Sequence, residues 1–236
     1  MRAPFRFKEF CVSDEQCGMK ITTDAVLLGA FAEVTNAKQI IDIGSGSGIV
    51  ALMMAQKSNA SVDAIEIDAG AAEQAKNNFY KSKWANRLLL IHDSVQHYAA
   101  TSTQVYDCIV CNPPYFHNQL KSNRQSKNTT KHDLTLNFMD LSCCVKKLLA
   151  DAGRFWVIIP ASEKQNFLNI FIASGLFCNQ IFAISDKPKK KAARFVICLS
   201  KQIPSKTEMV DFVIKNSDNS FSDEFIHLTK NFYLNF

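Results

Sequence analysis

The stretch Gln39-Ile40-Ile41-Asp42-Ile43-Gly44-Ser45-Gly46-Ser47-Gly48 carries the clearest structural signal in the chain. A short apolar run breaks into three glycines separated by serines. Glycine lets the backbone turn tightly and come close to a ligand. The segment that follows, Ile49–Lys57, has a helical pattern, so the unit reads strand, glycine turn, helix. Val50, Met53 and Met54 read as the core side of that helix. A nicotinamide-dinucleotide fingerprint requires glycine at position 49, where this chain has Ile49. A βα turn without any ligand is the plain alternative.

Working outward, residues 61–67 alternate and end on acid, and residues 69–81 are rich in Ala, Glu and Lys, which favours helix. Residues 88–91 and Tyr106–Cys111 read as strands. Residues 136–150 read as a helix closed by Asp151-Ala152-Gly153, and 154–159 as a strand stopped by Pro160. Residues 163–174 are helical, with Gly175 as the C′ stop. Such βαβα alternation predicts an α/β fold: a mostly parallel sheet with helices on both faces. Phe177–Ser185 and 192–200 are strand-like with only 186–191 between them, too short for a parallel crossover. The sheet is therefore expected to end in an antiparallel hairpin. There are no internal repeats and no linker. The expected organisation is a single domain over 1–236, with an N-terminal extension (1–38), a core (39–200) and a C-terminal extension (201–236).

The apolar fraction of 47% and charged fraction of 21% fit a globular chain. No run approaches the ~18 apolar residues of a membrane span, and the N-terminal residues lack the apolar centre of a signal peptide. The expected location is cytoplasmic, with the eight cysteines reduced. Cys108 and Cys111 form a CxxC inside a strand, where residues three apart face opposite ways, so no metal site is expected there. The five histidines show no metal spacing either; His92 and His97 read as ordinary strand-end and helix residues. Residues 1–120 carry 10 Lys+Arg against 12 Asp+Glu, and residues 121–236 carry 17 against 10. A basic second half admits an anionic partner such as nucleic acid.

Glu66 ends the strand after the glycine turn, where a carboxylate can accept from both ribose hydroxyls. Asp93 ends the next strand, where an acceptor can meet the exocyclic amine of adenine. With the glycines, these residues resemble the class I S-adenosylmethionine-dependent methyltransferases. The motif alone leaves another nucleoside-containing ligand open. The resemblance implies a Rossmann-like fold and S-adenosyl-L-methionine as cofactor. It implies that Gly44, Gly46 and Gly48 wrap the methionine portion and that Glu66 holds the ribose, with Ile67 among the cofactor-binding residues. Asp93 with Ser94 faces the adenine, and Asp42 acts through water or backbone near the methionine amine.

Asn112-Pro113-Pro114-Tyr115 follows the apolar run Cys108-Ile109-Val110-Cys111. An amine conjugated to a flat π system is a poor nucleophile, because its lone pair is delocalised. Acceptors aimed at its hydrogens stabilise the more localised pair of the transition state. The side-chain oxygen of Asn112 and the backbone oxygen of Pro113 suit that role, and the prolines hold them in place. Tyr115 offers a stacking face, which Phe116 extends, and His117 is near enough for a substrate role. Asn-Pro also starts ordinary turns, which is the structural alternative. Asn112 is counted with the cofactor-binding residues as well. Enzymes bearing this tetrapeptide act on adenine in DNA or RNA, on guanine in ribosomal RNA, or on a protein glutamine amide.

Only 38 residues precede the first core strand, which argues against a large added recognition domain. They include Met19-Lys20-Ile21-Thr22-Thr23-Asp24-Ala25-Val26-Leu27-Leu28-Gly29-Ala30, in which Thr23 or Asp24 is expected to cap a helix. That segment, the glycine motif, the tetrapeptide and the tail Phe221-Ser222-Asp223-Glu224 through Phe232-Tyr233-Leu234 resemble the bacterial tRNA1(Val) adenine-N6 methyltransferases along the whole chain. The resemblance implies methylation of the tRNA adenosine just 3′ of the anticodon, position 37. It also implies that Lys20, Thr23 and Asp24 close over the methionine end of the cofactor. A polar stretch, 119–133, reads as a long loop after the tetrapeptide. Its Arg124, Lys127 and Lys131 are candidate RNA contacts, as are Lys189, Lys190 and Lys191 at the expected hairpin tip and Arg194 beyond it. The plain alternative for each lysine is a solvated surface.

Overall fold

A computed structural model describes residues 3–113 and 136–236. The chain begins with a two-stranded antiparallel pair, β1 (Phe5–Arg6) and β2 (Cys11–Val12), followed by helix α1 (Thr23–Phe31). Then come β3 (Gln39–Ile43), α2 (Ile49–Lys57), β4 (Ser61–Glu66), α3 (Ala69–Tyr80), β5 (Leu88–His92), α4 (Val95–Thr101) and β6 (Tyr106–Cys111). After the tetrapeptide region follow α5 (Phe138–Leu148), β7 (Leu149–Pro160), α6 (Lys164–Ala173), β8 (Phe177–Ser185), β9 (Arg194–Ser200), β10 (Glu208–Val213) and α7 (Asp223–Thr229).

Among the described residues, eight strands form one sheet in the order β10-β8-β9-β7-β6-β3-β4-β5. Strands β3 to β7 are parallel to one another, and β9 runs antiparallel between β7 and β8. The expected terminal hairpin is therefore β8–β9. Because β8 opposes β9 and β9 opposes β7, β8 points the same way as β7. The β8–β9 connection thus stands at the carboxyl edge of the sheet, beside the ends of β3, β4 and β6.

Alternate strand residues feed two separate cores. Ile40, Val62, Cys108, Val110, Trp156 and Val196 pack with α1, α2 and α3 on one face. Ile41, Ile43, Ile65, Ile109, Cys111, Phe155 and Ile197 pack with α4, α5 and α6 on the other. Cys108 and Cys111 fall on opposite faces, as the strand period requires, and burial pushes both thiols well above their usual pKa. Among the described residues no group of three His, Cys, Asp or Glu is placed to hold a metal, and no helix is long and apolar enough to cross a membrane.

Gly175 ends α6 in the left-handed region at φ 86°, and the amides of Gly175 and Leu176 donate to Ile172 and Phe171 as in a Schellman stop. Three expectations need correction. The cap of α1 is Thr22, whose hydroxyl accepts from the Ala25 amide, and not Thr23 or Asp24. Thr22 is extended (φ −120°, ψ 157°), as a cap must be, whereas Thr23 is already helical. Next, α5 ends at Leu148 and β7 starts at once, so Asp151-Ala152-Gly153 lies within the strand. Its turn tendency survives as a register shift, since Tyr106 and Cys108 on β6 pair with Leu149 and Arg154. Finally, β10 adds an edge strand parallel to β8 where only an extension was expected.

Candidate active site

Strand register assembles the site. Ile43 pairs with both Ile65 and Cys111, and Ile65 pairs with Ile91. One residue further along each strand stand Gly44, Glu66, Asn112 and His92, with Asp93 just beyond. Residues from four neighbouring strands therefore share one level at the carboxyl edge. At about 4.8 Å per strand, the row from Asn112 to His92 covers about 14 Å. The chain winds outward from β3 through β4 to β5, then returns to place β6 on the other side of β3. Gly44 and Asn112 thus flank the topological switch point, where sheets of this kind bind ligands.

Gly44, Gly46 and Gly48 all adopt left-handed φ values, of 70°, 54° and 78°. A side chain at Gly44 or Gly46 meets nothing within 4 Å, so both face open space. A Cβ at Gly48 would collide with the Phe79 ring, so this glycine serves the packing of α2 on α3. The Glu66 carboxylate accepts from the Gly46 amide (2.8 Å) on one oxygen and from the Ile67 and Asp68 amides (2.9 Å each) on the other. It therefore ties the glycine loop to the end of β4. Among the described residues the buried Ser45 hydroxyl has no hydrogen-bond partner, and it sits in this loop.

Asp42 is buried, and its Oδ2 accepts from the Ala51 amide at 3.1 Å. Gly48, the cap of α2, has no side chain, so Asp42 supplies the missing acceptor from β3. Burial pushes the Asp42 carboxyl up to about 7; the Ala51 bond opposes this and the Glu66 charge adds to it.

A cleft beside the loop is lined by Gly44, Glu66, Ile67, Asp93, Ser94 and Leu136. Ser94 caps α4 by accepting from the His97 amide, and its own amide donates to Asp93 Oδ1 at 2.7 Å. Asp93 Oδ2 lies 2.6 Å from His97 Nδ1, a contact that holds the Asp93 carboxyl below its usual pKa. His97, expected to be an ordinary helix residue, is instead the partner of Asp93, and its spacing of four from Asp93 at a helix start is the signal that could have identified it.

The N-terminal segment folds against the same region. Lys20 Nζ donates to the carbonyls of Asp14 (2.6 Å), Glu15 and Cys17 (3.3 Å each), so its charge closes the 14–20 loop. Gln16 of that loop rests near Gly70, in the first turn of α3. Asp24 Oδ1 accepts from Arg194 Nη1 at 2.6 Å, and Asp186 accepts from the other amino group of Arg194 at 2.9 Å. Arg194 is thus a strut between α1 and the β8–β9 connection.

Asn112 is half-buried and Pro113 buried at the end of β6. Pro114, Tyr115, Phe116, Arg124, Lys127 and Lys131, with His117, lie outside the described residues. Lys189, Lys190 and Lys191 stand at the tip of the β8–β9 connection, at the same sheet edge as Asn112. The open-faced glycines, the carboxylates at two strand ends and the unpartnered Ser45 hydroxyl fit a polar nucleoside ligand with an amino-acid arm.

The family model described as "Methyltransferase small domain" matches residues 21–172. A tRNA1(Val) (adenine(37)-N6)-methyltransferase from Phocaeicola vulgatus is 40% identical over 231 residues, covering 98% of this chain and 97% of that protein. One with the same description from Aliivibrio salmonicida is 39% identical over 236 residues, covering 100% and 99%. The chain belongs to the tRNA1(Val) (adenine(37)-N6)-methyltransferase family. The fold of this methyltransferase also has a solved counterpart. A solved structure described as a predicted O-methyltransferase from Agrobacterium tumefaciens superposes with a TM-score of 0.64 at 18% identity, covering 89% of this chain and 96% of that one. Identity this low speaks for the fold alone. The methyltransferase resembles its relatives over nearly the full length, including the N-terminal segment and the aromatic tail.

Proposed function

We propose that this chain methylates the exocyclic N6 of adenosine 37 in tRNA1(Val), with S-adenosylmethionine as methyl donor. The observation that carries the reading is the register that sets Asn112-Pro113 beside Gly44 at the switch point. When bound, the cofactor supplies a methyl group made electrophilic by its sulfonium. Glu66 is placed for the ribose hydroxyls and Asp93 for the adenine amine, while Gly44 and Gly46 leave room for the backbone to approach the methionine arm. Lys20 and Asp24 serve through the loop and helix start that they fix. The Asn112 side-chain oxygen and the Pro113 carbonyl would accept the two hydrogens of the target amine and draw its lone pair out of conjugation, which readies the nitrogen to receive a methyl group. The substrate adenine leaves its stack to reach them, and Tyr115 with Phe116 gives it a flat surface. Once alkylated, the nitrogen is acidic enough to lose its proton without a strong base. The chain works in the cytoplasm, where its substrate is found.

The test is a methylation assay with labelled cofactor and total cellular RNA, with the modified nucleoside identified by mass spectrometry. N6-methyladenosine in tRNA1(Val) is expected. Asn112→Ala should lose roughly 100- to 1,000-fold in turnover even at saturating cofactor, the usual scale for removing one preorganised hydrogen-bonding group. Full turnover in that variant removes the tetrapeptide from the mechanism, and label in another nucleoside or in protein replaces the substrate.

A further inference from the structure

Two cavities meet over Phe221 and Tyr233. One, of about 500 Å³, lies between the β8–β9 connection, the residues after β10 and the start of α1. The other, of about 670 Å³, continues toward Phe5 and Arg6. Phe221 is 40% exposed, and its ring stacks on Phe225 with centroids 4.9 Å apart and planes 16° apart. A buried ring therefore fixes the orientation of an exposed one. Lys215 Nζ stands over the Phe221 ring, 5.6 Å from its centroid, as a cation–π partner on a long, rotatable side chain that a base can displace toward its own phosphate, and Lys187 lines the same wall. Among the described residues neither lysine makes an ion pair. The acids in the walls are already engaged: Asp186 with Arg194, and Asp14 with the Ile21 amide.

A fixed, part-exposed aromatic ring beside cations that make no ion pair is the surface that single-stranded nucleic acid uses, with base on ring and phosphate on cation. Lys187 follows β8, three strands from β6 at the same edge, and Lys215 and Phe221 follow β10, one strand further, which places the groove about 14–19 Å from the Asn112 end. That is close enough for nucleotides flanking a target adenosine. We propose that this groove holds an unpaired nucleotide of the RNA substrate, its base against Phe221 and its phosphates beside Lys187 and Lys215. The proposal rests on the reading of the chain as an RNA methyltransferase and adds a second point of attachment to it.

The experiment measures RNA affinity by fluorescence anisotropy of labelled tRNA, and KM for tRNA, in the full-length protein. Phe221→Leu keeps apolar packing on Phe225 but removes the flat face; Phe221→Trp keeps the face. Leu should raise Kd and KM for tRNA roughly 10-fold, Trp should restore them, and cofactor Kd should stay at the wild-type value. Lys187→Gln with Lys215→Gln should weaken binding and lower the slope of log affinity against log salt by about 1–2. RNA affinity unchanged in both sets overturns the proposal. So does a loss in the Leu variant that Trp does not restore, or one that tracks a change in oligomeric state, since either makes the patch a packing or self-association surface. Wild-type protein run alongside separates the two readings: no methylated RNA at all sinks the enzyme assignment, whereas normal turnover with indifferent variants sinks only the groove.

Discussion

Asp42 does two things at once. Its carboxylate caps α2 through the Ala51 amide, and it does so where the side chain is only 2% exposed. With its pKa raised to about 7, the folded protein still holds a proton between pH ~4 and ~7 that the unfolded chain has released. Stability contributed by this group is therefore full below pH ~4 and is lost as pH rises through 7. Asn in its place keeps an oxygen for Ala51 and carries no charge. Asp42→Asn should raise unfolding stability at pH 8 by about 2 kcal/mol, discounting a three-unit shift for the partner that the new amide nitrogen needs. The gain should vanish near pH 4. Thermal denaturation at both pH values checks it, and an equal gain at both means that the carboxyl is not the cause. This titration is not legible in the residues alone, because burial depends on α2 folding over β3.

At the scale of elements, the glycine turn separates stability from binding. Gly46 and Gly48 share a left-handed backbone, so alanine at either costs about 1–2 kcal/mol in strain. At Gly48 the new methyl also strikes the Phe79 ring, which is buried in the core. Gly48→Ala should lower Tm by about 5–10 °C. Gly46→Ala projects into open space, should lower Tm by less, and should weaken cofactor binding more. Calorimetry of both variants, by melting and by cofactor titration, tests the division; equal losses in both assays deny it. The turn itself was legible, as were β3, α2 and β6 with their bounds, because apolar runs there are sharply closed by glycine or by Asn-Pro. Thr22 was not, since three polar residues in succession can each cap and only backbone conformation chooses. Nor was β10, an edge strand in which Phe212 alone of six residues is buried, so it lacks a buried alternation. Register, which brings Asn112 level with Gly44, is a property of pairing that no single segment carries.

For the whole molecule, the uneven charge acquires a direction. The basic second half contributes Lys187-Pro188-Lys189-Lys190-Lys191, and the sheet order carries that segment to the edge where β3, β4 and β6 end. The tip is a built turn. The Lys190 amide donates to the Lys187 carbonyl, the Ser185 hydroxyl donates to the Lys190 carbonyl, and Lys189 takes a left-handed φ of 63°. Arg194 anchors its base through Asp24 and Asp186. Three lysines are thus presented on a braced hairpin whose strand β8 lies three strands, about 14 Å, from the strand that ends in Asn112, while the anchoring arginine holds the hairpin base. If these lysines neutralise phosphates, each contact releases a counterion and steepens the salt dependence. Changing Lys189, Lys190 and Lys191 together to Glu should weaken tRNA binding by at least about 10-fold at moderate salt and lower the log–log salt slope by about 2–3, with cofactor affinity unchanged. Titrations of labelled tRNA at several salt concentrations read both quantities. An unaltered slope assigns the lysines to solubility and leaves Lys187 and Lys215, nearer the Phe221 ring, as the cations that meet the RNA.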